Sequence, residues 1–199
     1  GAAITSDLQG VSASISDWTK TSVKASDVGL DVAQSFQAAM ANGGQIATLI
    51  LHADATWETG GIIGKRLAPK PKHQIMDAEI DKAATILTSG RRVAILTTGP
   101  SLWGEGREAC TRIASKTGAT FFCNALNSRM ERGAGRMEFS RIPGWGQTAR
   151  EMLAEFDELI IVGTGLPVLA FGHPSFESIL VPETVKLTKL AGPEDDVVG

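Results

Sequence analysis

Apolar residues early in the chain recur at the spacing of an amphipathic helix, and a continuous apolar run follows them. The positions that share this spacing are Val28, Val32, Phe36, Ala39 and Met40. Ser26-Asp27 supplies a helix start, and the Asn-Gly-Gly at 42–44 supplies a stop. The run QIATLIL at 45–51 does not alternate with polar residues, which predicts a strand buried on both faces. Residues 26–51 are therefore predicted to form one helix-to-strand unit.

Beyond residue 76, short apolar runs alternate with amphipathic segments across short connections. Strands are predicted at 92–98, 119–123, 158–163 and near 185–190. Helices are predicted at 77–87, 105–117 and 146–156, and an Arg/Gly-rich loop at 124–145. Such alternation is typical of α/β proteins, so we predict a doubly wound, mostly parallel sheet.

The segments between and around these patterns predict the domain organisation. Residues 1–60 carry a helix–strand remnant of another α/β domain, and their first twenty residues lack periodicity and predict loop and turn. The stretch 61–76 is rich in Gly, Pro and cations and predicts a linker, whose basic part at 64–73 is expected to be mobile and protease-sensitive. Residues 77–191 form the second domain, and 192–199 an acidic tail.

Composition excludes several function classes. The 199 residues carry a formal net charge of -3 and a pI of about 5.6, so the chain lacks the basic surface expected for nucleic-acid binding. No apolar run approaches the roughly 20 residues that span a bilayer, and we expect no membrane contact. Cys110 and Cys123 have no metal spacing and no disulfide framework. They are predicted to be core side chains, and a reducing, cytoplasmic setting is expected.

Three strand ends carry the candidate chemistry, because ligands of open α/β sheets bind beyond the carboxyl ends of the strands. The candidate binding residues are Gly99, Pro100, Ser101, Asn124, Gly163, Thr164 and Gly165. Glycine lets backbone N–H groups approach a phosphate, and a following helix N-terminus favours negative charge, which together predict a nucleotide site. The alternative is that these glycines only make tight turns between strand and helix.

The sequence shows no arrangement of residues that is typical of a catalytic site. The three histidines, His52, His73 and His173, lack ligand spacing to one another or to a carboxylate. Asp54, three residues past a strand end, suits a turn or a helix cap. The four tryptophans are scattered along the chain, as for core or interface packing. We therefore predict neither catalytic residues nor a metal site within this chain.

The order of these segments resembles thiamine-diphosphate-dependent 2-oxo-acid enzymes of the acetolactate synthase large-subunit type. Their pyrimidine-binding domain typically finishes Gly-Pro-Val-x-Leu-x-Ile-Pro-x-Asp-Val. In GQIATLILHADATW, Gln45 and His52 stand where the prolines are usual, and Asp54 matches the aspartate. RRVAILTTGPSLWGEGREACTRIASKTGATFF and DELIIVGTGLPVLAFGHPS are similar to the family's Rossmann-like central domain.

The resemblance implies a parent enzyme that decarboxylates or joins 2-oxo acids with thiamine diphosphate and Mg²⁺. It also implies a homo-oligomer, further domains in the parent chain, and a central domain that holds FAD, ADP or neither. Any such contacts map to Gly99–Ser101, Asn124 and Gly163–Gly165. The family's activating Glu falls before Gly1, and its Gly-Asp-Gly…Asn motif is absent here. The chain is thus expected to be an internal piece that is inactive alone.

Two other functions are compatible with the same residues. One is a self-contained nucleotide-binding module without thiamine chemistry. The other is an architectural domain that spaces two others and builds a subunit interface.

Overall fold

The computed structural model describes residues 5–198, which divide into two compact units, Gly1–Pro71 and Lys72–Gly199. Residues 1–4 and 199 belong to the first and last predicted segments and lie outside the described residues. The predicted division into residues 1–60, 61–76, 77–191 and 192–199 stays a prediction.

The first unit is a two-stranded parallel sheet with three helices. Its elements are α1 (Leu8–Ala13), β1 (Trp18–Ser22), α2 (Ala25–Ala39), β2 (Ala47–Leu51) and α3 (Ala53–Trp57). The predicted helix and strand are confirmed as α2 and β2. The prediction of loop and turn before residue 20 is wrong, because this stretch forms α1 and enters β1. The polar sequence WTKTS has little strand signal of its own, and its pairing with β2 far along the chain makes it a strand.

The expected burial of β2 on both faces is also wrong. Residues 47–50 are half-buried, and Leu51 is 47% exposed. The strand has β1 as its partner, in register from Trp18 opposite Ala47 to Ser22 opposite Leu51. A two-stranded sheet has no interior strand, so a continuous apolar run here does not mean complete burial.

The Gly/Pro-rich stretch after Gly60 runs along α2. A Cβ on Gly64 would collide with the backbone of Gly29 in α2, so the two backbones are in direct contact at these glycines. At Ala68, four residues after Gly64, the backbone carbonyl accepts a hydrogen bond from the Gln37 side-chain amide at 2.5 Å. The first part of the predicted linker therefore packs within the first unit.

The second unit is a three-layer α/β fold. Its elements are α4 (Asp77–Leu87), β3 (Val93–Thr97), a 3-10 turn (Gly99–Leu102), α5 (Gly104–Thr117), β4 (Thr120–Cys123), β5 (Ser140–Arg141), α6 (Gly146–Leu153), β6 (Glu158–Val162) and β7 (Lys186–Ala191). All the helices and strands predicted beyond residue 76 are present, with bounds shifted by a few residues. The addition is the two-residue strand β5, inside the stretch predicted as loop.

The five strands are all parallel, in the order β5-β4-β3-β6-β7. The chain winds outward from β3 in one direction through β4 and β5, and in the other through β6 and β7. The strand order thus reverses between β3 and β6, which is where open α/β sheets bind ligands.

Helices cover both faces of this sheet, so the predicted doubly wound fold is confirmed. On one face, Ala83 and Ile86 of α4 and Cys110 of α5 pack on Ile95 and Phe121 of the sheet. On the other face, Ala149 and Leu153 of α6 pack on neighbouring sheet residues, which include Ala94, Leu96, Phe122, Leu159 and Ile161. Both cysteines are free and buried, as predicted.

The acidic stretch at the end of the second unit contacts its beginning. His73 forms a parallel bridge with Asp195, and the Asp196 amide donates to the His73 carbonyl at 2.8 Å. The Lys72 ammonium lies 3.9 Å from the Asp196 carboxylate. Residues 72–73 at the start of this unit therefore contact residues 195–196 near its end.

Candidate functional site

The three predicted strand ends emerge at one edge of the sheet. Thr97, the last residue of β3, is opposite Cys123 of β4 and Val162 of β6. Because parallel strands end on the same side, the connections that follow β3, β4 and β6 lie next to one another. The sequence prediction therefore located neighbouring segments, although they are up to 66 residues apart.

Polar side chains link these connections. The Asn124 amide donates to the Thr164 hydroxyl at 3.0 Å, which joins the ends of β4 and β6. The Thr98 hydroxyl donates to the Asn127 carbonyl oxygen at 3.0 Å, and the Asn127 amide donates to the Asn124 backbone carbonyl at 2.6 Å. A continuous network thus crosses the carboxyl edge from β3 to β6. Asn127 had no sequence signal of its own, because only the fold brings it near Thr98.

A cavity of about 290 Å³ lies beside this network. Three predicted residues line it: Asn124, Thr164 and Gly165. Most of the remaining lining is apolar and comes from the connections after β4, β5 and β6, as at Leu126, Pro143 and Leu166. An apolar lining with a few convergent polar groups is typical of small-molecule sites, and this volume is at the low end of their range of about 300–1,000 Å³.

The other four predicted residues do not line this cavity. Ser101 is only 2% exposed, and Pro100 packs against α5 so closely that a Cβ on Gly106 would meet the Pro100 carbonyl. Gly99 and Gly163 adopt φ of +59° and +69°, a region that side-chain-bearing residues rarely enter. Both glycines therefore occupy turn positions that favour glycine, and their role in ligand binding stays a prediction.

Two arginines influence the end of β4. Burial raises the pKa of the Cys123 thiol, while a hydrogen bond from Asn127 and the charges of Arg141 and Arg132 oppose that rise. These guanidinium groups are thus close enough to act on the strand end. Both come from the stretch predicted as an Arg/Gly-rich loop, and the sequence analysis assigned them no role.

That loop also encloses a cavity of its own, of about 560 Å³, lined entirely by residues between 130 and 141. Its charged lining comprises Arg132, Arg136, Arg141, Glu131 and Glu138.

The histidines take structural or exposed positions. The His52 ring accepts a hydrogen bond from the Asp54 amide at the start of α3, and the His173 ring accepts one from the Ser175 amide. His73 has a largely exposed side chain. Trp57 and Trp145 are 85% and 82% exposed, so core packing is wrong for them, and the alternative of interface packing stays a prediction.

Within residues 5–198, no group of three or more His, Cys, Asp or Glu side chains could hold a metal ion. No helix in the same part of the chain has the length and apolar character needed to cross a bilayer.

The sequence and the fold are similar to known proteins. No protein-family model matches the sequence. A curated protein of Mycobacterium tuberculosis (strain ATCC 25618 / H37Rv), named "Putative acetolactate synthase large subunit IlvX", is 33% identical over 192 residues, which is 96% of this chain and 37% of that protein.

Two solved structures have a similar fold. One is described as a "putative thiamin diphosphate-dependent enzyme" from Mycobacterium smegmatis, with a TM-score of 0.66, 18% identity, and coverage of 87% of this chain and 33% of that one. The other is a thiamine diphosphate-dependent 4-hydroxybenzoylformate decarboxylase of Rhodococcus jostii RHA1, with a TM-score of 0.68, 15% identity, and coverage of 92% and 35%.

The chain thus spans about a third of the length of each of these three proteins. The similarity extends over nearly all of this sequence, across both units. The sequence is therefore similar to part of an acetolactate synthase-like large subunit, and its fold is similar to parts of thiamine-diphosphate-dependent enzymes.

Proposed function

We propose that this chain is part of a thiamine-diphosphate-dependent 2-oxo-acid decarboxylase or carboligase that resembles acetolactate synthase. The observation that supports this is the 33% identity over 192 residues, which runs through both units in one alignment. In the proposal, the first unit is the end of a pyrimidine-binding domain and the second is the central domain. The parent works in the cytoplasm as a homo-oligomer with Mg²⁺, on a small 2-oxo acid.

The chain itself does not supply the catalytic groups in this proposal. The cofactor needs a carboxylate against its aminopyrimidine ring, and its diphosphate needs Mg²⁺ held by oxygen ligands. The acidic residues nearest the boundary of the units are Asp54, Glu58, Asp77, Glu79 and Asp81. Asp54 and Glu58 lie in or just after α3, and the other three lie in α4, with no metal-binding group among the described residues. The residues present therefore do not fit a thiamine diphosphate–Mg²⁺ site by themselves.

A first experiment measures cofactor binding and turnover by this polypeptide. We expect no heat from thiamine diphosphate with Mg²⁺ in calorimetry and no CO₂ from pyruvate. General acid–base assistance alone contributes about 10²–10⁴-fold to rates, so loss of that group together with the cofactor anchor removes turnover. Pyruvate decarboxylation by the purified chain contradicts the proposed assignment of the active site to other parts of the parent.

A second candidate function is nucleotide binding at the carboxyl edge of the sheet. The observation that favours it is the 290 Å³ cavity beside the Asn124–Thr164 hydrogen bond, at the point where the strand order reverses. The cavity volume is at the low end of the range for ligand sites, which favours ADP over the larger FAD. In this hypothesis Asn124, Thr164 and Gly165 line the cavity. The other binding residues predicted from the sequence, Gly99, Pro100, Ser101 and Gly163, lie at the neighbouring strand ends.

Calorimetry with ADP, FAD and NAD tests this second function. ADP is expected to bind, and the Thr164→Val variant to bind it at least about tenfold more weakly, because the Asn124 amide loses its partner. Thr85→Val, which removes an exposed hydroxyl on α4, is the matched control and is expected to bind as the unchanged protein does. Absence of heat with all three nucleotides favours the architectural function instead.

A further inference from the structure

Arg107 of α5 is a buried cation without a counter-charge. Its side chain belongs to a residue only 6% exposed, and it donates one hydrogen bond, to the Met137 carbonyl at 2.6 Å. Its Nε atom is buried and has no hydrogen-bond partner, and no ion pair reaches it from the described residues. Burying a guanidinium without an anion is costly, which suggests that negative charge comes from outside the chain.

The residue that Arg107 contacts lines the 560 Å³ cavity of the 130–141 loop. This loop is anchored to the sheet. Phe139 is 5% exposed and packs edge-on against Phe121 of β4, with ring centroids 5.8 Å apart. Met130 and Met137 pack against the same core. One buried and two partly buried side chains therefore anchor the lining of this cavity to the core.

Positive charge predominates around this cavity. Of its two carboxylates, Glu131 is already engaged by the Gly104 amide at 3.3 Å and by Arg129 and Arg136 at 3.5 and 3.7 Å. Glu138 is exposed and is not in an ion pair with any described residue. Arg132 and Arg141 line the cavity and likewise have no carboxylate partner among residues 5–198. Together with Arg107, three guanidinium groups near one loop lack counter-ions.

We propose that the loop cavity of residues 130–141 is a binding site for the phosphate or diphosphate group of a small molecule, with Arg132 and Arg141 as its ligands and Arg107 as a buried supporting charge. Guanidinium groups donate paired N–H bonds in a planar fork that matches phosphate oxygens. A multiply charged anion can accept hydrogen bonds from several guanidinium groups at once. This site is separate from the Asn124–Thr164 cavity, which has no arginine in its lining.

Calorimetry on the full chain, with inorganic phosphate, diphosphate and ADP as separate probes, tests the proposal. We expect diphosphate to bind with one site per chain and more weakly as salt rises, because both partners are charged. The Arg132→Gln/Arg141→Gln variant is expected to weaken binding by at least about tenfold. The matched control is Arg112→Gln/Lys116→Gln, which removes two exposed cations of α5 that lie outside the loop and is expected to change binding less than about twofold.

The probes also distinguish a nucleotide from a free phosphate compound as the source of the bound phosphate group. ADP binding that requires Arg132 and Arg141 but tolerates Thr164→Val assigns a nucleotide phosphate to the loop site. Tighter binding of diphosphate than of ADP assigns a free phosphate compound. Absence of binding by all three probes overturns the proposal, and so does diphosphate binding that is equally strong in the Arg132→Gln/Arg141→Gln variant and its control.

Discussion

At the residue scale, burial raises the pKa values of the two cysteine thiols. Burial raises the pKa of the Cys110 thiol to about 11, against a weaker opposing effect of its backbone hydrogen bond and of Arg107. Cys123 is fully buried, and its pKa is raised by the same loss of hydration. Thiol chemistry requires the thiolate, so both side chains are protected by burial and by protonation.

We predict that neither cysteine reacts appreciably with a thiol reagent in the native protein at pH 8. With a pKa of about 11, only about one Cys110 side chain in a thousand is ionised there. Labelling followed by absorbance should be at least about 100-fold slower than in urea, where both thiols are accessible. Rapid labelling of either thiol without denaturant contradicts their placement in the core.

The same shift makes stability fall at high pH. The Cys110 pKa is higher in the folded chain than in the unfolded chain. The contribution of this thiol to the free energy of unfolding is therefore complete below about pH 8.5 and is lost as pH rises toward 11.

In the first unit, Asp31 of α2 is a buried ionisable residue, and its pKa is lowered. Burial raises its pKa, but the hydrogen bond and the charge of Lys20, together with the nearby Ser22 hydroxyl, outweigh this and leave it lowered. The Lys20 ammonium lies 2.7 Å from the Asp31 carboxylate, whose side chain is 4% exposed, and also donates to Gln34 at 2.8 Å. This pair ties β1 to α2.

We predict that Asp31→Asn destabilises the first unit by about 1–3 kcal/mol at pH 7, because a buried ion pair loses one charge. Asp27→Asn, an exposed carboxylate on the same helix, should cost about 0.5 kcal/mol. Hydrogen exchange of the β1 and α2 amides measures both. The difference between the unchanged protein and Asp31→Asn should be present above about pH 4 and shrink as pH falls through the lowered pKa. A difference that stays constant down to pH 2 contradicts the ion pair as the cause.

At the scale of elements, the contact between α2 and the stretch after Gly60 depends on two glycines. The Gly29 and Gly64 backbones touch, and a Cβ on either would collide with the other segment. A Cβ on nearby Gly61 would meet only the Ala25 carbonyl, at 3.8 Å, which is an ordinary contact. Gly64 and Gly61 therefore provide a test position and a matched control position for an added methyl group.

We predict that trypsin first cuts the native chain between Lys65 and Lys72, and that Gly64→Ala accelerates this cleavage. The added methyl group displaces residues 62–66 from α2 and exposes the cationic sites to the protease. Gly61→Ala should leave the rate unchanged within about twofold, since its methyl group fits. Timed digestion with mass spectrometry identifies the first cut. Earlier cleavage inside 92–123 contradicts the predicted linker.

At the scale of the whole molecule, the chain comprises two compact units that divide at residues 71 and 72. The second contains a complete five-stranded sheet with helices on both faces. Its α4 supplies the core residues Ala83 and Ile86, so the unit needs its first helix as well as its strands.

We therefore predict that the polypeptide 72–199 folds alone, whereas 92–199 does not. The shorter polypeptide lacks α4 and exposes the part of one sheet face that α5 does not cover. Loss of two buried apolar side chains and their helix costs several kcal/mol, roughly the whole stability of a small domain. Circular dichroism and hydrogen exchange compare the two directly. A cooperative unfolding transition in 92–199 contradicts this account of α4.

The helices and strands after residue 76 were predictable because their patterns are local. The alternation of apolar runs with amphipathic segments is readable without knowledge of the partners, and it also fixes the fold class. The strand β1 was not predictable, because WTKTS becomes a strand only through pairing with β2. Burial of β2 was overestimated for the same reason, since the number of neighbouring strands is not encoded in seven residues.

The candidate sites divide in the same way. Sequence located the strand-end connections, since parallel strands end together, and it identified Asn124 and Thr164, which the fold joins by a hydrogen bond. It did not identify Arg107, Arg132 or Arg141. A charged residue on a helix or in a loop is ordinarily solvated, and no sequence pattern marks the burial of Arg107 or the placement of the exposed Arg132 and Arg141 around one cavity.

By itself, the sequence determined most of the helices and strands after residue 76, the parallel sheet, the burial of both cysteines and the resemblance to thiamine-diphosphate-dependent enzymes. These properties follow from local periodicity and from motifs a few residues long. Only the tertiary structure decided the strand order β5-β4-β3-β6-β7, the network from Thr98 to Thr164 and the unpaired charges around the 130–141 loop. Each of these depends on distances between residues far apart in the chain, which the packing of the two faces of the sheet sets.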